Sequence, residues 1–255
     1  MSIVALQYDD HYVAFGGDGV NTNPRDGAVG GFVSKLELMP EYETILGITG
    51  IGGLGVMMRW CIPRSVRTFD DLIAILPDIV ALACRNLDAM GQLEATRKAC
   101  VVAAGYSNEA EAYRAYRVIT YPKQSINGAD NVEVTLEPWV LHEMPKGVLW
   151  ASCAPTQEAC EAVQMDVAQE ASVDTGVARM ICAGRLSSGA SVTDEYAGQF
   201  NAGGFCQIAT MTNRALRSYL MHEWPEDVAG EPIDPERGDA LPDHMMIGPE
   251  HDPGL

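Results

Sequence analysis

The sequence predicts an α+β fold of four layers, an αββα sandwich in which two antiparallel sheets stack face to face and helices cover both outer faces. Three observations predict it. Runs rich in β-formers come in pairs joined by short polar turns, the pattern of antiparallel hairpins. Helical patterns come as two paired blocks that separate the strand blocks. The resulting order of strands, helices, strands, helices and strands places two sheets in one core and leaves the helices to cover them. No internal repeat of fixed period is present.

Each element has its own local reason. SIVALQY (2–8) and HYVAFGG (11–17) flank the polar turn Asp9-Asp10 and read as a first hairpin. A stretch rich in Asn, Gly and Pro (20–31) reads as a loop. FVSKLELM (32–39) and ETILGITG (43–50), joined by Pro40-Glu41-Tyr42, form a second hairpin. After Gly52-Gly53, LGVMMRWCI is a short helix that Pro63 closes. Thr68 with Asp71 three residues on makes an acidic capping box for DDLIAIL, and IVALACRNL continues the pattern. Pro77 falls between them and requires a kink or two abutting helices. Strand character returns at 98–106, 111–121 and 131–139. Helical patterns cover 156–170 and 174–187, and GGFCQIATMTN with ALRSYLMHEW closes the chain's folded part as a terminal hairpin.

Composition sets outer bounds on function. With 255 residues, 47% hydrophobic and 20% charged, the chain has ample length for a buried core. Neither a membrane-length apolar run nor the charged and apolar regions of a secretory signal is found, so a cytoplasmic protein without membrane contact is expected. The net charge of -18, with no basic stripe, speaks against nucleic acid. Seven cysteines, Cys61, Cys84, Cys100, Cys153, Cys160, Cys182 and Cys206, stand singly, which argues against a disulfide framework or zinc site. The five histidines lack metal-site spacing, and the glycine runs at 16–19 and 50–55 lack the Lys-Ser/Thr of a phosphate loop, so no cofactor is expected. From Pro225 the chain is rich in Pro, Gly, Asp and Glu; 225–255 is read as an acidic extension to a domain of residues 1–224. The expectation is an extended arm, either loose or laid over a neighbouring subunit.

The opening SIVALQYDDHYVAFGGDG, the lysine in FVSKLEL and the glycines of GITGIGG stand in this element order. Together they resemble the proteasome β-subunit family of N-terminal nucleophile hydrolases, nearest in flavour to the bacterial proteasome-like peptidase subunit. The resemblance spans residues 2–224 by element order, with its specific motifs in the first 53 residues. It implies a nucleophile at Ser2 once Met1 is removed, because a freed N-terminal serine carries both a hydroxyl and an α-amine of pKa about 7.7–8.0 that serves as its base. Asp18 lies sixteen residues after Ser2, at the family's spacing. Lys35 corresponds to the family lysine that pairs with that aspartate and keeps the amine basic. Gly50 corresponds to the glycine whose N–H faces the oxyanion.

Later motifs depart from the family. Where it carries Gly-Ser-Gly, this chain has Ala151-Ser152-Cys153, which retains a candidate supporting hydroxyl at Ser152. The family's Asp-x-x-Ser-Gly-Gly becomes Gln199-Phe200-Asn201-Ala202-Gly203-Gly204, with Asp194 or Asn201 as candidate substitutes. The resemblance implies a serine-type peptidase or amidohydrolase acting on peptide or protein, as a ring or other closed homo-oligomer, with GVMMRW (55–60) supplying apolar subunit contacts. The rival reading is a non-catalytic assembly protein that keeps the fold, for example a phage or prophage component. A third is a hydrolase of non-peptide amides.

Overall fold

The computed structural model describes residues 2–23, 26–91, 98–127, 132–165, 173–188, 200, 202–239 and 241. The first hairpin is β1 (Val4–Tyr8) and β2 (Tyr12–Asp18), in the register Val4 to Gly17 and Tyr8 to Val13. The 20–31 segment is more than a loop: β3 (Val20–Thr22) and β4 (Val29–Phe32) pair as a small ribbon. The expected strand at 32–39 is broken accordingly, since β4 ends at Phe32 and β5 (Leu36–Met39) starts after Lys35. A tight turn, Pro40–Tyr42, leads into β6 (Thr44–Thr49).

Three helices follow. α1 (Leu54–Cys61) comes first; α2 (Phe69–Ala74) carries the expected capping box between Thr68 and Asp71, and α3 (Leu76–Ala89) holds Pro77 in its first turn. Proline there loses no helical hydrogen bond, so the helices abut rather than kink.

β7 (Cys100–Ser107) and β8 (Ala112–Ile119) pair along their length. β9 (Lys123–Asn127), which sequence patterning did not indicate, pairs with β10 (Val132–Leu136) as a side ribbon. Short β11 (His142–Glu143) and β12 (Trp150–Ala151) complete the sheet edges. α4 (Gln157–Ala162) covers only the first part of the expected 156–170 helix, and residues 166–172 lie outside the described residues. α5 (Val173–Leu186), β13 (Phe205–Thr212) and β14 (Ala215–Glu223) finish the architecture.

The strands form two five-stranded antiparallel sheets, β12-β1-β2-β13-β14 and β11-β8-β7-β6-β5. Three apolar layers show the four-layer stacking. Val4, Leu6, Phe15, Ile45, Val102 and Ala104 fill the space between the sheets. The opposite faces of the same strands pack on helices: Ile3, Ala5 and Ile208 against α5, and Leu46, Val101 and Ala103 against α1 to α3. Period-two alternation buried on both faces produces this arrangement. Where the sheets cross, a Cβ on Gly47 would lie 2.5 Å from Val4 Cγ1, so only glycine permits that approach.

The 225–241 stretch differs from the expected arm. Val29 N–H donates to the Glu231 carbonyl at 2.8 Å, Ile233 packs with Val20 and Val29, and Leu241 joins the helix-side core. Trp224 is buried and donates its indole N–H to the Asp239 carbonyl at 3.1 Å. Anchoring apolar residues thus offset the ordering entropy that composition alone leaves uncompensated.

Candidate active site

Val4 and Gly17 of one sheet lie over Gly47 and Leu36 of the other. Stepping outward from that crossing leads to Ser2, Asp18, Lys35 and Gly50 along their four strands, all toward one end of the sandwich. A Cβ on Gly17 would come 3.3 Å from Lys35 Cβ, which places the lysine stem beside the end of β2.

Asp18 is fully buried at the end of β2. Its Oδ1 accepts the Ile3 N–H at 2.8 Å and its Oδ2 accepts the Val20 N–H at 3.1 Å, while its own N–H donates to the Ile3 carbonyl at 3.2 Å. The carboxylate therefore ties down the residue that follows Ser2. Burial pushes its pKa up to about 6, against the opposing pull of the Lys35 charge and the two N–H donors. Lys35 is half-buried, and its carbonyl accepts the Ile48 N–H at 2.8 Å, which fixes it at the start of β5. Burial lowers its ammonium pKa, with Asp18 opposing. Among the described residues no hydrogen bond or ion pair joins Lys35 to Asp18; the two act on each other through space, where the family resemblance implied a direct pair.

Gly50 stands just past β6 with φ of 100°, and a Cβ there would sit 1.8 Å from the Lys98 carbonyl oxygen. Conformation and crowding both demand glycine. Ser152 follows β12: its Oγ accepts the Val4 N–H at 3.0 Å and its N–H donates to the Val4 carbonyl at 2.8 Å. Its role here is to hold β1 two residues after Ser2. Ser2 is half-buried at the head of β1.

Sequence reading missed four neighbours. Lys123 at the start of β9 donates to the Ser152 carbonyl at 2.9 Å. Arg117 on β8 stacks its guanidinium over Trp150 at 5.9 Å. Behind β2, Arg185 of α5 and Asp227 form a fully buried ion pair at 2.7 Å, and Asp227 Oδ2 also accepts the Gly204 N–H at 2.6 Å. Gly203 in turn accepts the Gly19 N–H at 3.0 Å, so this pair supports the turn beside Asp18. An Asp within an acidic tail carries no local signal of a buried partner.

Of the altered late motif, Ala202 is buried in the helix-side core; Gln199, Asn201 and Asp194 lie outside the described residues. Among the described residues no three His, Cys, Asp or Glu side chains cluster as metal ligands, and no helix is long and apolar enough to cross a membrane.

No protein-family model matches the chain, and no curated protein matches it. Solved structures do. Anbu (ancestral β-subunit) from Yersinia bercovieri aligns over 89% of this chain and 88% of that chain with a TM-score of 0.56 and 9% identity. Anbu from Hyphomicrobium sp. strain MC1 aligns over 89% of each with a TM-score of 0.54 and 11% identity. Likeness at these identities establishes the fold alone, and that fold is proteasome-like.

Proposed function

We propose that this proteasome-fold chain is an N-terminal nucleophile amidohydrolase, a serine-type peptidase acting through Ser2 once Met1 is removed. The observation that carries the reading is the Asp18 latch on Ile3 N–H, which holds the residue after Ser2 at the sandwich end that also bears Lys35 and Gly50. In this mechanism the Ser2 amine takes the Oγ proton and Oγ attacks an amide carbonyl. The Gly50 N–H steadies the oxyanion, and the proton passes to the departing amine as the C–N bond breaks. Water then hydrolyses the acyl ester, the amine again moving the proton. Lys35 disfavours a charged amine by its own charge. Ser152 and Asp18 act as positioning residues.

A closed homo-oligomer in the cytoplasm belongs to the same proposal. It is supported by Trp60 and Val56 of α1, which are 75% and 53% exposed. The second reading, a non-catalytic assembly protein, is favoured by Ala202 standing where the family has a serine and by the missing direct Lys35–Asp18 contact.

Intact mass and a covalent inhibitor directed at N-terminal nucleophiles decide between them. The catalytic reading expects loss of Met1 and one adduct mapped to Ser2, abolished in Ser2→Ala. Retained Met1, or a free Ser2 that forms no adduct, overturns it in favour of the assembly reading.

A further inference from the structure

Arg117 is 6% exposed, and its Nε has no hydrogen-bond partner. Tyr113, Ala115 and Ile119 of β8 alternate with their neighbours and face the other sheet, so Arg117 shares that inward face. Its guanidinium lies over Trp150, and Lys123 is bound to the carbonyl two residues on, so two cations converge on the 150–152 segment. Cys100, the first residue of β7 and paired with Thr49, feels both charges. A chain with 35 acidic residues against 17 basic ones nevertheless places no carboxylate of the described residues in an ion pair with either cation. A buried guanidinium without an anion is costly, and folds keep such groups where a ligand completes them. Trp150, Ser152 and Lys123 are each partly exposed, so the place opens to solvent.

The location is informative. Gly50 follows β6, and Arg117 stands on β8 two strands across, level in register with Gly47 and so three residues back along the sheet, roughly 14 Å from Gly50. Ser152 connects the same cations to β1 through Val4. An extended peptide advances about 3.3 Å per residue, and the long Arg117 side chain together with that of the substrate covers the remainder, so an acidic side chain one or two residues from the reacting bond spans that gap.

We propose that Arg117 and Lys123 form an anion subsite that receives a carboxylate of the substrate, a Glu or Asp side chain one or two residues from the bond Ser2 attacks. The proposal rests on the peptidase reading and supplies its substrate preference. Guanidinium and carboxylate match bidentately, with Lys123 adding a point charge at the rim.

The test is calorimetric binding to the full chain at low salt, using end-capped hexapeptides identical except for one Glu or Gln scanned along them, and inorganic phosphate as a free anion. The expected result is a preference for Glu of about tenfold at one position. In Arg117→Met this should fall below about twofold while the Gln peptide binds as before. Phosphate should compete with the Glu peptide and lose its own binding in the same variant. Equal binding of Glu and Gln peptides at every position overturns the proposal, as does a preference that survives Arg117→Met. Phosphate binding that needs Arg117 without any Glu preference marks a free-anion site and also overturns it. Should Arg117→Met not fold, Lys123→Met, at a partly exposed position, carries the same comparison with an expected drop of about threefold. Binding is read without turnover. A Glu preference in a chain whose Ser2 forms no adduct refutes the peptidase reading alone, and an adduct without a preference refutes the subsite alone.

Discussion

Replacing Asp227 with Ala removes the anchor of the 225–241 stretch. Asp227 takes hydrogen bonds of 2.7 and 3.1 Å from Arg185 and one of 2.6 Å from Gly204 N–H. Stripping one partner from a buried pair costs about 3–5 kcal/mol, because the remaining charge stays out of water. The orphaned Gly204 N–H adds about 1–3 kcal/mol. Glu226 remains on Arg185 at 3.0 Å and offsets part of both, and contacting groups do not add. The expected loss is about 4 kcal/mol, a large share of the 5–15 kcal/mol that holds a typical domain. Urea unfolding followed by tryptophan fluorescence reads it directly, as a midpoint lowered by about 2 M at an m-value of about 2 kcal/mol per molar. A double variant, Arg185→Met with Asp227→Leu, should recover the share due to the unpaired charge but not that of the Gly204 N–H, since a packed apolar pair replaces a buried ionic one with little penalty. A loss under about 1 kcal/mol for Asp227→Ala, or a double variant as unstable as the single, refutes the reasoning.

Three further outcomes are expected. Asp18 titrates at about 6 in the fold against an ordinary 3.8, so the folded state binds its proton more tightly. Its contribution to stability is therefore full below about 3.8 and lost as pH rises through about 6, about 3 kcal/mol in all; melting curves of Asp18→Asn against the parent from pH 4 to 7 should diverge across that window. Gly50→Ala forces a side chain into φ of 100° and against the Lys98 carbonyl, and a loss of about 3 kcal/mol or more is expected in chemical denaturation. Trp60→Glu should shift the chain toward smaller species in sedimentation velocity while leaving its melting temperature within about 2 °C, since the ring is exposed in the single chain.

Much of the fold was legible because its signals are local. Thr68 and Asp71 cap α2 through bonds three residues apart, Pro77 marks a helix start, and strands buried on both faces read as continuous apolar runs. The strands that were missed, β3, β4, β9, β11 and β12, are short, in side ribbons or at sheet edges, where backbone pairing rather than side-chain pattern makes the strand. In the site, the spacing of Asp18 from Ser2 was countable because one hairpin sets it. The hydrogen bonds by which Asp18 serves that hairpin required coordinates.

By itself the sequence determined the α+β class, the hairpins and the helix starts. These depend on backbone sterics and on burial patterns a few residues long. Tertiary structure alone decided which charges lie in the dark. Arg117 sits in AYRAYRVI beside an Arg114 that faces outward to Glu143, and no local pattern separates them until the second sheet closes over one. Asp227 sits in an acidic tail and becomes an anchor only because Arg185, 42 residues earlier, is buried beneath it. Desolvation and pairing are properties of a packed neighbourhood, and that neighbourhood is assembled from segments that sequence order keeps apart.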